Sequence, residues 1–129
     1  MQPDHRAWFA KADEDLAMIE IGLAGHAPWA QLCLHAQQLA EKYLKGYLVS
    51  RDVLPPKVHD LERLLGLCVV HDASLESLRD DCVRLLEASG RSRYPGWDGP
   101  DESAATAAIE AARGVRSAIR ERTASDIEQ

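Results

Sequence analysis

Apolar residues recur every three or four positions between residues 28 and 50, in the stretch PWAQLCLHAQQLAEKYLKGYLVS. This spacing is that of one face of an α-helix. The pattern predicts a long helix with a wide apolar face, against which the other segments pack. The residues on that face are Trp29, Leu32, Cys33, Ala36, Leu39, Ala40, Tyr43, Leu44, Tyr47 and Leu48.

The same period predicts helices on both sides of this stretch. Asp4 can cap a first helix over roughly residues 5–24, and Asp60 can cap a third helix. Residues 53–58 lie between the second and third helices and contain two adjacent prolines, which favour an extended linker. The face of the first helix is predicted to comprise Trp8, Phe9, Ala12, Leu16, Ile19 and Leu23.

Two further helices complete the pattern. The fourth is expected to start at Asp72 or Ser74 and to end at Gly90, and its apolar face contains leucines and one cysteine. The fifth is expected to start near Pro100, which suits a first helical turn, and to fray after Thr123.

Length and composition agree with one globular domain. The chain has 129 residues, of which 46% are hydrophobic and 28% are charged. It has no repeat and no strand-like alternation, and its short connections make consecutive helices antiparallel. We therefore predict an all-α fold, an antiparallel up-down bundle of four to five helices. The predicted domain spans residues 1–129, with a core of about residues 4–123.

Charge and cysteine content limit the partners and the cellular location that we expect for the protein. The net charge of −6 does not favour broad attraction to nucleic acid or to an anionic membrane. No apolar run approaches the roughly 20 residues of a membrane span, and the first residues are unlike a signal peptide. The three cysteines are odd in number and lie at apolar helix positions, which indicates buried thiols. We expect a cytoplasmic protein with no membrane contact and no cofactor.

The groups most able to bind an anion come from the second helix, from the linker that follows it, and from a last loop predicted over residues 91–99, which is rich in glycine, proline and turn-forming residues. If the linker and the last loop lie at one end of the bundle, these groups surround the start of the third helix. Free amides there, together with arginine side chains, would favour a phosphate. The alternative is that the lysines are solvated and the loop residues pack or pair. The predicted nucleotide or phosphate ligands are Lys42, Lys45, Lys57, His59, Arg91, Arg93 and Tyr94.

An adjacent histidine and aspartate, here His59 and Asp60, also occur in metal phosphohydrolases. Such a site needs further histidine and aspartate ligands, and the other histidines show no matching pattern. We therefore expect no metal site, with Asp60 as a helix cap. His59 is retained as a candidate general acid or base.

Three motifs in this order resemble the HEPN family (higher eukaryote and prokaryote nucleotide-binding): CLHAQQLAEKYLKGYLV, PPKVHDLERLL and RSRYPG. The resemblance spans most of the chain. It implies a helical bundle that is usually a homodimer with its active cleft along the subunit interface. Many members are metal-independent ribonucleases, often toxins neutralised by a cognate nucleotidyltransferase. The motif positions are Glu41, Lys42, Lys45, His59, Asp60, Arg93, Tyr94 and Pro95.

The ribonucleases of this family carry an arginine and, after four to six intervening residues, a histidine. Here Arg51 and His59 have seven residues between them, as do Arg63 and His71, and no histidine follows the later arginines. This argues against a standard ribonuclease. The motifs resemble instead the substrate-binding subunit of two-component nucleotidyltransferases.

Three hypotheses follow, and we prefer the first. The chain is a nucleotide-binding or accessory subunit that forms a homodimer and pairs with a minimal nucleotidyltransferase, in a toxin–antitoxin module. Alternatively it is a divergent metal-independent ribonuclease that cleaves RNA with His59 and either Arg93 or Arg51. The third hypothesis is a non-catalytic helical interaction protein. The acidic net charge favours the first and third over the second.

Overall fold

The computed structural model describes residues 3–90 and 99–128. Within these ranges the chain is helical and has no strand, so the all-α prediction is confirmed. A 3-10 helix, Ala73–Leu78, precedes the fourth α-helix. The α-helices are α1 (His5–Ala24), α2 (Trp29–Ser50), α3 (Leu61–Val69), α4 (Arg79–Gly90) and α5 (Glu102–Glu128).

Helix α2 is the centre of the bundle and packs against the other four α-helices. The predicted apolar face of α2 is buried, apart from Trp29, which is half-buried. Cys33, Cys68 and Cys82 are free and buried, as the sequence pattern predicted. Burial of this face contributes to the hydrophobic stabilisation of the bundle.

Helix α1 packs closely on α2 because glycine occupies the contact. A Cβ atom at Gly46 would lie 2.5 Å from the ring of Phe9, which stacks on Tyr43 with 4.6 Å between ring centroids. The predicted cap is present, since the Asp4 carboxylate accepts a hydrogen bond from the amide of Ala7 at 3.1 Å. The close approach brings polar groups of α1 within hydrogen-bonding distance of α2.

The chain reverses direction immediately after α2. Asp52 adopts a left-handed backbone conformation (φ 61°), which aspartate tolerates better than most residues. The linker then leads to Asp60, whose carboxylate accepts hydrogen bonds from the amides of Glu62 and Arg63 and caps α3 as predicted.

Three details of the prediction are wrong. The fourth helix has the expected cap, Asp72, but its first six residues form the 3-10 helix and the α-helix starts at Arg79. Helix α5 does not end at Thr123 but continues to Glu128. Leu23, assigned to the buried face of α1, is 41% exposed. No helix in residues 3–90 and 99–128 combines the length and apolar character needed to cross a membrane.

Candidate functional site

The carboxylate of Glu41 joins two of the predicted ligands, Lys45 and His59. The Nζ atom of Lys45 donates to Oε2 of Glu41 at 3.2 Å. The Nδ1 atom of His59 lies 3.0 Å from Oε1 and 3.1 Å from Oε2 of the same carboxylate. Glu41 and Lys45 are one turn apart on α2 and are both buried, and the linker places His59 beside them. We call these three residues the Glu41 cluster.

The imidazole of His59 is the accessible part of the Glu41 cluster. Its side chain is 83% exposed, whereas that of Glu41 is 11% exposed. Because the carboxylate engages Nδ1, the Nε2 atom faces solvent and can accept a hydrogen bond, or donate one when the ring is protonated. The cluster can therefore contact a phosphate or transfer a proton.

Lys42 belongs to a different group of residues. Its Nζ atom lies 2.7 Å from Oδ2 of Asp15, and Oδ1 of Asp15 lies 2.9 Å from Nδ1 of His35. Asp15 is 5% exposed, so Lys42 is neutralised by a buried carboxylate of α1. We call Asp15, His35 and Lys42 the Asp15 cluster.

The sequence analysis did not identify Asp15. The available signal was its position, because Asp15 lies on the same helical face as Ala12 and Ile19, both of which are buried. An acidic residue on an apolar face needs a partner, since an unpaired buried charge is costly. Trp8 was identified only as a core residue, although it contacts Lys45, whose Nζ lies 6.0 Å from the ring centroid.

Gln37 links the linker to the end of α4. Its Nε2 atom donates to the carbonyl of His59 at 3.5 Å, and its Oε1 atom accepts from the hydroxyl of Ser89 at 2.6 Å. The end of α4 therefore lies one side chain away from the Glu41 cluster. The other predicted ligands from the last loop, Arg91, Arg93 and Tyr94, lie outside the described residues.

The start of α3 does not offer the free backbone amides that were expected to bind a phosphate. The carboxylate of Asp60 occupies the amides of Glu62 and Arg63, at 3.0 and 3.3 Å, so these amides are not free to bind a phosphate. Lys57 is exposed on the linker. Among residues 3–90 and 99–128, no three histidine, cysteine or acidic side chains are grouped as metal ligands would be.

Of the two arginines in the ribonuclease hypothesis, Arg51 and Arg93, the structure describes the first. Arg51 donates to the carbonyl of Arg122 on α5 at 3.1 Å, and its guanidinium lies 5.1 Å from the ring centroid of Tyr47. Arg51 is thus engaged with α5. Arg93 lies outside the described part of the chain.

A third carboxylate, Asp13, connects α1, α2 and α5. It accepts hydrogen bonds from the hydroxyl of Tyr43 at 2.7 Å and from Nε of Arg116 at 2.9 Å, and Arg120 lies 3.9 Å away. Partial burial alone would raise the pKa of Asp13, but the hydrogen bonds and arginine charges outweigh it, so the pKa lies below its ordinary value. Burial raises the pKa of Tyr43, which keeps the hydroxyl protonated as a donor.

Comparison with known proteins gives one match. The family model described as "HEPN domain" matches residues 5–122, from the first residue of α1 into the C-terminal half of α5. No curated protein matches the chain, and no solved structure matches it.

Proposed function

The chain belongs to the HEPN domain family, and we propose that it is a nucleotide-binding subunit whose catalytic partner is another protein. In this proposal it forms a homodimer and pairs with a minimal nucleotidyltransferase, which supplies the catalytic carboxylates, in a toxin–antitoxin module. The nucleotide phosphates bind at the Glu41 cluster, beside the end of α4.

The observation that carries this proposal is the position of His59. Its ring is held by a buried carboxylate and exposed to solvent at the point where α4 ends. The sequence places Arg91 and Arg93 one and three residues after Gly90, where α4 ends. Arginine forks bind phosphate bidentately, and an imidazole and the exposed Lys57 add further donors. Lys45 and Tyr94 complete the proposed site.

Two features favour binding over cleavage. The arginine-to-histidine spacing of the family's ribonucleases does not occur in this sequence. The net charge of −6 is also unlike that of a surface that attracts RNA over a large area. A local cluster that binds one nucleotide agrees with both.

Titration calorimetry with ATP and GTP tests the assignment. We expect Arg93→Ala to weaken binding about tenfold, because a charged hydrogen bond to phosphate is lost, while the circular dichroism spectrum is unchanged. Arg84→Ala is the matched control, since Arg84 is an exposed arginine of α4 whose observed partner is Asp81. Equal affinities for the wild type and Arg93→Ala would reject the phosphate site.

The partners are tested separately. Light scattering should give the mass of a dimer, and co-expression with a nucleotidyltransferase encoded beside this chain should give a stable complex. A monomer that does not associate with that enzyme would reject this part of the proposal and leave nucleotide binding to be judged by calorimetry.

One observation favours a second candidate, a metal-independent ribonuclease. The contact between Nδ1 of His59 and Glu41 orients the imidazole as a general acid or base requires. In the binding proposal, the purified protein does not cleave RNA in the presence of EDTA. Cleavage that is abolished in both His59→Ala and Arg93→Ala would establish the ribonuclease instead.

A further inference from the structure

An open cleft of about 750 Å³ runs along the first half of α1 beside α2. Its walls are mostly apolar and include Ala7, Trp8 and Ala10. Lys11 and Glu14 form an exposed ion pair of 3.3 Å at the rim. The remaining polar group in the wall is Lys42 of the Asp15 cluster.

Trp8, which lines this cleft, carries an unused hydrogen-bond donor. Its Nε1 atom is buried and has no hydrogen-bond partner among the described residues. A buried donor without an acceptor destabilises the protein, and an acceptor atom on a ligand would remove that penalty.

Lys42 provides a second donor in a fixed position. Its ammonium group is held at 2.7 Å by Asp15, whose side chain is 7% exposed, and the side chain of Lys42 is itself 31% exposed. An ammonium has three N–H donors, so the contact with Asp15 leaves others for a ligand. Because Asp15 balances its charge, Lys42 favours a polar neutral acceptor as much as an anion.

Trp8 lies between the cleft and the Glu41 cluster. The indole lines the cleft, and Nζ of Lys45 lies 6.0 Å from its ring centroid, while the same Nζ contacts Glu41 at 3.2 Å. One aromatic side chain therefore separates the cleft from the proposed phosphate site.

We propose that this cleft holds the base of the bound nucleotide, an inference that rests on the proposed function. A nucleobase is planar, has apolar faces that suit the indole and the two alanines, and carries ring nitrogens or carbonyl oxygens that accept hydrogen bonds. Trp8 and Lys42 donate to those acceptors, and Glu14 can accept from an exocyclic amine. The cleft is large enough for a purine.

The test compares a nucleoside with its nucleotide in a matched pair of variants. Ala10→Leu fills the cleft, whereas Ala17→Leu makes the same change at an exposed position of α1 outside it. We expect Ala10→Leu to weaken the binding of both guanosine and GMP by at least about tenfold, and the same for adenosine and AMP if those bind. Ala17→Leu should leave every affinity unchanged.

A second pair of variants separates the two proposals. Trp8→Phe keeps an aromatic ring, removes the donor and should weaken nucleoside binding several-fold. His59→Ala should weaken GMP but leave guanosine unchanged. If GMP binding is lost in His59→Ala and unaffected by Ala10→Leu, the base site is wrong and the phosphate site stands. If Ala10→Leu abolishes guanosine binding and GMP binds no better than guanosine, the base site stands and the phosphate site is wrong. Failure of every probe to bind overturns both.

Discussion

The Glu41 cluster and the Asp15 cluster contain the same kinds of residue but differ in which side chain is exposed to solvent. Each contains a buried carboxylate, a lysine from α2 and a histidine bound through Nδ1. In the Glu41 cluster the histidine, His59, comes from the linker, and its side chain is 83% exposed. In the Asp15 cluster it comes from α2 itself, and the side chain of His35 is 26% exposed.

The difference shows that a bond to a buried carboxylate does not by itself determine what a histidine does; the segment that carries the histidine decides whether its ring is buried or exposed. A histidine on the central helix is held between α1 and α2, and its hydrogen bond contributes chiefly to the packing of those helices. A histidine at the end of a linker presents its ring to solvent while its orientation is fixed by the same kind of bond. The exposure of the two lysines is reversed. Lys45 of the Glu41 cluster is buried, whereas Lys42 of the Asp15 cluster lines a cleft.

Removing the two carboxylates should therefore have unequal effects on stability. We expect Glu41→Ala to lower the free energy of unfolding by about 3 kcal/mol, because the ammonium of Lys45 stays buried without its partner. Asp15→Ala should lower it by about 1–2 kcal/mol, since the partially exposed Lys42 and His35 can regain water. Urea denaturation at pH 7 measures both.

Two controls accompany this comparison. Glu14→Ala removes an exposed carboxylate next to Asp15 and should change stability by no more than about 0.5 kcal/mol. Adding Lys45→Met to Glu41→Ala should recover much of the loss, because no unpaired charge is then buried. Equal losses in Glu41→Ala and Asp15→Ala would contradict the distinction between the clusters.

Replacing each of the two histidines by alanine separates effects on nucleotide affinity from effects on the stability of the fold. His59→Ala should weaken ATP or GTP binding about tenfold with only a small shift in the urea midpoint, because the ring is exposed and only its bond to Glu41 is lost. His35→Ala should leave the affinity unchanged and lower the midpoint further, because its ring is mostly buried and its packing is lost together with the bond to Asp15. Calorimetry and denaturation on the same preparations check the pair, and a loss of affinity in His35→Ala as large as that in His59→Ala would contradict the assignment of the phosphates to the Glu41 cluster.

The sequence predicted the helices well because each depends on local signals. The apolar period of α2 and the caps at Asp4 and Asp60 are set by residues within a few positions of each other. The 3-10 start of the fourth helix was not foreseen, since an α-turn and a 3-10 turn have similar sequence requirements.

The site was predicted less completely because it depends on contacts between distant segments. The spacing of Glu41 and Lys45 along α2 indicates their ion pair, but nothing in the sequence shows that Glu41 also holds His59. Lys42 was grouped with Lys45 by spacing along α2, yet a rotation of three residues around the helix brings it to Asp15 of α1 instead. Such a partner can be identified only when the packing of α1 against α2 is known.

Asp13 extends the comparison to a carboxylate whose partners are arginines and a tyrosine. Its pKa lies below the ordinary 3.8 because hydrogen bonds from Arg116 and Tyr43 outweigh the opposing effect of burial. A carboxyl group with a lowered folded-state pKa stabilises the protein above its unfolded-state pKa and loses that contribution as the pH falls through the folded value. Asp13→Asn should therefore lower stability by about 1 kcal/mol or less at pH 7, given the partial exposure of the group.

The pH profile of Asp13→Asn is best measured beside that of Asp81→Asn, because the two aspartates should respond with opposite signs. Burial raises the pKa of Asp81, so its ionised form destabilises the folded state at neutral pH. Asp81→Asn should be slightly more stable than the wild type at pH 7, and Asp13→Asn slightly less stable. The Asp81→Asn difference should shrink as the pH falls through the raised folded-state pKa of Asp81 towards about 4. The Asp13→Asn difference should shrink only as the pH falls below about 4, where the carboxyl groups of the unfolded chain are protonated. Urea midpoints at pH 7, 5 and 3 give the comparison, and a deficit in Asp13→Asn that persisted unchanged at pH 3 would show that its cause is lost packing rather than the arginine contacts.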